Sequence, residues 1–120
     1  MNELSIIQKV YDLIQWYVPI LERLPKSHRY GLGQRMTNLM YDIFEQLLYA
    51  KYNRAGRQER LQQINIQLDI LRYQTRMLKD FTLMSAERHQ YVNQRLADIG
   101  NELGGWRKQI TPPKKTGDPQ

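Results

Sequence analysis

Basic side chains recur at helical spacing in the second half of this 120-residue sequence. Arg72, Arg76 and Lys79 are four and three residues apart, so a helix places all three on one stripe. Guanidinium groups bind phosphate oxygens through paired hydrogen bonds, and each neutralised phosphate releases condensed counterions. The spacing therefore predicts contacts to a polyanion such as nucleic acid. The candidate residues are Arg57, Arg60, Arg72, Arg76, Lys79, Arg88 and Arg95.

Neighbouring residues leave a second interpretation of this pattern open. Tyr73 and Tyr91 lie among the basic residues and could stack on unpaired bases, which favours nucleic-acid binding. Asp69, however, lies three residues before Arg72 and can pair with it, as on an ordinary solvated face. The spacing alone leaves the two interpretations equally open.

The composition describes one basic, cysteine-free domain. The chain holds 18 Lys and Arg against 12 Asp and Glu, a formal charge of +6. Residues 1–24 hold 2 basic and 3 acidic residues, so the surplus lies beyond the first helix. Without cysteine there is no disulfide, thiolate zinc site or cysteine nucleophile, and we expect a cytoplasmic protein.

Candidate metal ligands and catalytic groups are few. His28 and His89 are the two histidines, and neither belongs to the Glu-x-x-His pairs of dinuclear carboxylate bundles. Glu87 precedes His89 by only two residues, so their side chains diverge around a helix. No grouping of serine, histidine and aspartate stands out for nucleophilic catalysis. The sequence therefore predicts a protein that is not an enzyme and has no metal or cofactor.

Apolar spacing predicts four helices that position these side chains. The first covers residues 4–24 with two apolar stripes, and Pro19 is expected to bend it. Charged residues such as Lys9 and Asp12 interrupt it, which argues against a signal peptide or a membrane span. The second helix begins near Ser27, the third follows Ala55-Gly56, and the fourth is capped by Ser85.

The predicted fold is all-α, an antiparallel up-and-down four-helix bundle over residues 1–110 with a flexible Pro- and Lys-containing tail over 111–120. The apolar sectors are wider than one bundle core needs, which favours association with further copies of the chain over scattered exposed apolar residues. Trp16, on the polar side of the first helix, is a candidate interface anchor; a covering loop or tail is the equally favoured alternative.

Small residues on the last helix predict a close helix contact. Gly100 and Gly104 are one turn apart, and Trp106 supplies a large apolar anchor beyond them. Because glycine weakens a helix, a packing role would explain the pair. We therefore expect Gly100, Gly104 and Trp106 to serve packing or assembly, and Gly104→Leu to disrupt one of them.

Two runs resemble the accessory variability determinant (Avd) proteins of diversity-generating retroelements. They are Leu-Pro-Lys-Ser-His-Arg-Tyr-Gly-Leu-Gly at residues 24–33 and Ile-Gly-Asn-Glu-Leu-Gly-Gly-Trp at residues 99–106. The resemblance extends from the first helix to Lys108 and leaves the tail outside. Avd proteins are related to four-helix-bundle proteins encoded in intervening sequences of bacterial 23S ribosomal RNA genes.

The resemblance implies a homo-oligomeric ring, with a pentamer as the expected form, that binds a reverse transcriptase and template RNA or DNA. In that role the chain is a non-catalytic subunit that supports mutagenic cDNA synthesis by its partner. Two alternatives remain open: an RNA-associated protein of the ribosomal intervening-sequence type, and a purely structural oligomer whose charge confers solubility.

Overall fold

The computed structural model describes residues 3–110, with side chains from residue 5 onward, and this range is helical without strands. The helices, in chain order, are α1 (Glu3–Glu22), a short α2 (Lys26–His28), α3 (Gln34–Tyr52), α4 (Arg57–Asp80) and α5 (Ala86–Ile110). A π-helical turn, Arg29–Gly33, joins α2 to α3. The tail expected at residues 111–120 lies outside the described residues.

The four long helices form an antiparallel bundle, as the sequence predicted. Helix α1 packs against α3 and α5, and α4 packs against the same two helices. At one end His28 stacks on Phe81, with 5.9 Å between ring centroids. Toward the other end Lys9, near the start of α1, pairs with Glu102, near the end of α5, at 2.5 Å. The short connections make each helix reverse the direction of the one before it.

The core contains residues of both apolar stripes of α1, although Tyr11 remains exposed, and only one stripe of α4. Ile7 and Val18 from one α1 stripe and Val10 and Leu13 from the other are all buried. On α4 the residues Leu61, Ile64, Leu68, Leu71 and Leu78 fill the core. Its neighbouring stripe remains 44–58% exposed and is formed by Ile66, Ile70, Tyr73 and Met77. The core of one chain therefore leaves this row of α4 exposed, and we call these four residues the apolar α4 stripe.

Helix ends follow local signals in most places. The Ser85 hydroxyl accepts a hydrogen bond from the backbone N–H of Arg88 at 3.2 Å, which is the expected N-cap. Gly56, at φ 71°, turns the chain before α4 in a conformation that favours glycine. Helix α1 continues through Pro19, which lies on the exposed side where water can satisfy the freed carbonyl.

The second predicted helix starts differently from the sequence expectation. In place of one helix from Ser27, a single turn leads into the π-helical turn Arg29–Gly33. A Cβ at Gly33 would lie 3.2 Å from the Leu24 side chain and 3.4 Å from the Leu21 carbonyl oxygen. This close approach of the turn to the end of α1 is a tertiary contact that helical spacing does not reveal.

One polar pair crosses the core. The Tyr17 hydroxyl of α1 and the Thr75 hydroxyl of α4 are 2.8 Å apart, and both residues are 0% exposed. They join the two helices that lie diagonally across the bundle, where few other contacts form. Burial raises the pKa of Tyr17, so its hydroxyl keeps its proton and can take part in the hydrogen bond.

Candidate nucleic-acid interface

The basic stripe predicted on α4, formed by Arg72, Arg76 and Lys79, borders the groove between α4 and α5. The Arg72 guanidinium lies over Gly100 of α5, where it occupies the place that a Cβ would take. It is also 3.7 Å from the Asp69 carboxylate, the pairing that the sequence spacing allowed. Arg72 is thus held by its own helix and by α5, and is the least free member of the stripe.

Toward the end of α4 the stripe becomes more exposed. Arg76 is exposed and loosely paired with Asp80 at 3.9 Å. Lys79 is exposed and has no ion pair among the described residues. Burial lowers the pKa of His89 on α5, and the charge of Lys79 lowers it further. Lys79 therefore lies close to the start of α5 as an available cation.

Arg88 and Arg95 lie on the side of α5 that faces α1. Arg95 pairs with Asp98 at 3.2 Å and stands 5.2 Å above the Tyr91 ring. Arg88, one turn below Tyr91, is exposed. The two groups of predicted cations, on α4 and on α5, therefore flank α5 from opposite sides.

Arg57 and Arg60 donate hydrogen bonds to residues near the end of α3. Arg57 donates hydrogen bonds to the carbonyl oxygens of Ala50 at 2.5 Å and Lys51 at 2.9 Å. Arg60 donates to the Gln46 side chain at 2.6 Å. The two Arg57 bonds satisfy free backbone carbonyls at the C-terminus of α3, and the Arg60 bond joins α4 to a side chain of α3.

The seven predicted cations do not form one surface on the chain. Arg57 and Lys79 are separated by 22 positions on one helix, about 33 Å at 1.5 Å per residue. Helical spacing identifies neighbours along one helix, but it cannot tell which of them lie near cations of another helix.

Positive charge is instead concentrated at the two ends of the bundle. One end, here called the His28 end, comprises residues 22–35 and 76–89 and holds seven basic against three acidic residues. The opposite end, called the Arg57 end, comprises residues 3–8, 51–60 and 102–110 and holds six against three. The middle holds three basic against five acidic residues. The ends therefore carry the net positive charge and the middle carries a net negative charge.

The His28 end contains basic residues that spacing within single helices did not single out. They are Arg23, Lys26, Arg29 and Arg35, and the antiparallel topology brings their segments beside Lys79 and Arg88. Residues 25–54 hold five basic against two acidic residues, and this surplus was the one sequence signal for Lys26, Arg29 and Arg35; it does not include Arg23.

Aromatic rings accompany the cations at the His28 end. Tyr30 is 67% exposed and Phe81 is 52% exposed. The Arg29 guanidinium lies 5.8 Å from the centre of the Tyr30 ring. The His28 ring stacks on the Phe81 ring. Exposed rings beside cations are what unpaired bases require for stacking and phosphate contacts.

The three predicted packing residues of α5, Gly100, Gly104 and Trp106, differ in what surrounds them. Trp106 is 1% exposed and belongs to the core of the bundle. Gly100 is covered by Arg72, which is a close approach by a side chain and not by a helix backbone. At Gly104 an added Cβ would meet nothing within 4 Å, so no contact within the described residues requires that glycine.

Trp16 is half-buried, and its cover comes from α5. Its ring centroid lies 4.8 Å from that of Tyr91 and 5.3 Å from that of Tyr17. It forms one wall of a groove between α1 and α5, and the tail considered as its cover lies outside the described residues.

Residues 3–110 contain no group of three or more His, Asp and Glu side chains placed to hold a metal ion. None of the helices in that range combines the length and the apolar character that crossing a bilayer would require.

Fold and charge distribution together define a basic four-helix-bundle protein. A family model described as bAvd-like matches residues 4–110, nearly all of the described chain. The chain belongs to the bAvd-like family, which confirms the resemblance to Avd proteins seen in the sequence. No curated protein and no solved structure matches it.

Proposed function

We propose that this protein is a non-catalytic accessory subunit of a diversity-generating retroelement, which binds template RNA through the His28 end and supports a reverse transcriptase. Membership of the bAvd-like family supports the role. The observation that carries the choice of surface is the excess of seven basic over three acidic residues at that end, beside exposed Tyr30 and Phe81.

The His28 end is favoured over the Arg57 end because its cations are less engaged. At the Arg57 end, Arg57 and Arg60 donate to groups of α3, and Arg107 donates to Gln62. At the His28 end, Lys79 and Arg88 are exposed without ion pairs among the described residues. Free cations can exchange counterions for phosphate without first breaking internal bonds.

Self-association into a ring is part of the proposal, and the apolar α4 stripe is its proposed contact. Four large apolar side chains at 44–58% exposure form one continuous stripe along a helix that is otherwise polar outside the core. Fully burying each such side chain gains about 1.5–3 kcal/mol, and roughly half of that surface is already buried. Contacts along this stripe would bring Arg76 and Lys79 of neighbouring copies close together.

RNA binding is tested by removing two cations from the His28 end. The double variant Lys79→Ala, Arg88→Ala should lose two phosphate contacts, each of which contributes about 0.7 to the slope of log K against log salt concentration for a single strand. The slope for single-stranded RNA should therefore fall by about 1.4. Between 1 M and 0.1 M salt this difference corresponds to about 25-fold lower affinity at 0.1 M. Fluorescence anisotropy across a salt series measures both quantities.

The matched control removes the same charge from the Arg57 end, through Arg54→Ala with Lys108→Ala. Both residues are exposed, so the two double variants have equal net charge and intact cores. Equal losses in the two variants would show that net charge alone matters, and the proposal for the His28 end would be wrong. Co-purification of the native protein with a reverse transcriptase tests the partner.

Assembly is tested by placing a charge in the apolar α4 stripe. Ile70→Glu should convert the oligomer to smaller species in light scattering at fixed concentration, because an unpaired carboxylate is costly to bury. Tyr41→Glu, at a comparably exposed position on α3, should leave the mass unchanged. A monomeric parent protein, or an Ile70→Glu variant of parental mass, would contradict this contact.

A further inference from the structure

A groove of about 260 Å³ runs between α1 and α5 in the middle of the bundle. Its aromatic wall is formed by Trp16 and Tyr91, whose ring centroids are 4.8 Å apart. Drug-sized ligands occupy sites of about 300–1,000 Å³, so this groove suits a single side chain or a single base. The full lining is Lys9, Asp12, Leu13, Trp16, Tyr91, Arg95 and Asp98.

The cations of the groove are already neutralised. Lys9 is bound to Glu102 at 2.5 Å, and this hydrogen bond raises the pKa of Lys9. Arg95 is bound to Asp98 at 3.2 Å. Each cation of the lining therefore belongs to a pair, and the groove gains no net positive charge from either.

Asp12 is the carboxylate of the lining that has no cation among the described residues. Its Oδ1 atom accepts a hydrogen bond from the Gln8 side chain at 2.9 Å, and no ion pair involves the residue. The groove thus combines an aromatic wall with one uncompensated negative charge, in the part of the bundle where acidic residues outnumber basic ones.

We propose that the α1–α5 groove binds an arginine side chain of a polypeptide partner, with the guanidinium against Trp16 and paired with Asp12. A cation against an aromatic face is attracted by the ring quadrupole, and a guanidinium matches a carboxylate with two hydrogen bonds. The same arrangement already exists in the lining of the groove, where Arg95 stands over Tyr91 and pairs with Asp98. A bound arginine side chain would form the same arrangement with the Trp16 ring and the Asp12 carboxylate.

A nucleic-acid base is the less favoured occupant because its phosphate would follow it into an acidic region. The basic ends of the bundle attract phosphate, whereas the middle carries a net negative charge. This inference goes beyond the proposed function, since it assigns a different surface to a protein ligand. RNA binding at the His28 end can fail without affecting it.

The test uses the full chain and a blocked pentapeptide with one central arginine between glycines. The chain has two tryptophans, and Trp106 is buried, so its indole N–H signal in NMR serves as an internal reference. The peptide should shift the Trp16 indole signal in a saturable manner. The same peptide with citrulline, which has arginine's shape without its charge, should bind at least tenfold more weakly.

Asp12→Asn should weaken binding of the arginine peptide about tenfold while keeping the size of the side chain. Asp42→Asn, which removes an exposed carboxylate from α3, should leave the affinity unchanged and is the matched control. Equal responses to arginine and citrulline peptides, or unaltered binding by Asp12→Asn, would overturn the proposal. A Trp16 shift with single-stranded RNA and none with the peptide would also overturn it and identify a base-stacking site.

Discussion

The Tyr17–Thr75 hydrogen bond offers a direct measure of how strongly the core depends on one polar contact. Thr75→Val keeps the shape of the side chain and leaves the buried Tyr17 hydroxyl without its partner, which is 2.8 Å away in the parent. Tyr17→Phe leaves the Thr75 hydroxyl, which can turn to the carbonyl oxygen one turn earlier on α4. The two single variants should therefore lose different amounts of unfolding free energy.

The expected magnitudes follow from this asymmetry. An unsatisfied buried hydroxyl costs about 1–3 kcal/mol, so Thr75→Val should lose about 2 kcal/mol of unfolding free energy. Tyr17→Phe should lose about 1 kcal/mol because the remaining hydroxyl has a substitute acceptor. Replacing both partners leaves an apolar pair, so the double variant should lose no more than Thr75→Val alone. The coupling energy is then about 1–2 kcal/mol.

Denaturant unfolding of all four proteins measures the coupling, and one fixed concentration is used because the proposed self-association would make stability depend on concentration. A 2 kcal/mol loss should lower the Tm by about 8 °C in a domain of this size. Strictly additive losses in the double variant would refute the claim that these two hydroxyls interact. A Thr75→Val protein as stable as the parent would show that the Tyr17 hydroxyl reaches another partner.

The remaining predictions concern glycine positions and alkaline pH. Gly104→Ala should stabilise the protein by about 0.5–1 kcal/mol because the added Cβ meets nothing within 4 Å. Gly100→Ala should stabilise it less because the Arg72 side chain must move. Thermal unfolding of both variants and the parent measures the difference. Lower stability or a smaller oligomer in Gly104→Ala would show that another chain packs there. Burial raises the pKa of Tyr17, so stability should fall as pH rises above its ordinary value of 10.0, and less so in Tyr17→Phe.

Much of the architecture was predictable because helical spacing is a local property. The third and fourth predicted helices begin where Gly56 and Ser85 indicate. The apolar sectors were expected to be wider than the core needs, yet both stripes of α1 place residues in the core because α3 and α5 flank α1 on two sides, and Tyr11 remains exposed. How many neighbours a helix has cannot be read from its own sequence.

The candidate site was predictable only in part. Lys79 and Arg88 are exposed as the spacing suggested, but Arg57 and Arg60 are held by carbonyl and amide groups of α3. Those acceptors lie 6 to 14 residues earlier in the chain and are presented only after α3 and α4 dock. A basic residue at helical spacing looks the same in sequence whether it binds a ligand or caps a neighbouring helix.

The sequence by itself determined the helices, most of their ends, the basic charge and the family, because each depends on residue types and short spacings. The tertiary structure decided where charge accumulates, since antiparallel packing brings residues 22–35 beside residues 76–89 and places Trp16 against Tyr91. Electrostatic fields and grooves depend on distances through space, and those distances exist only once the helices have packed.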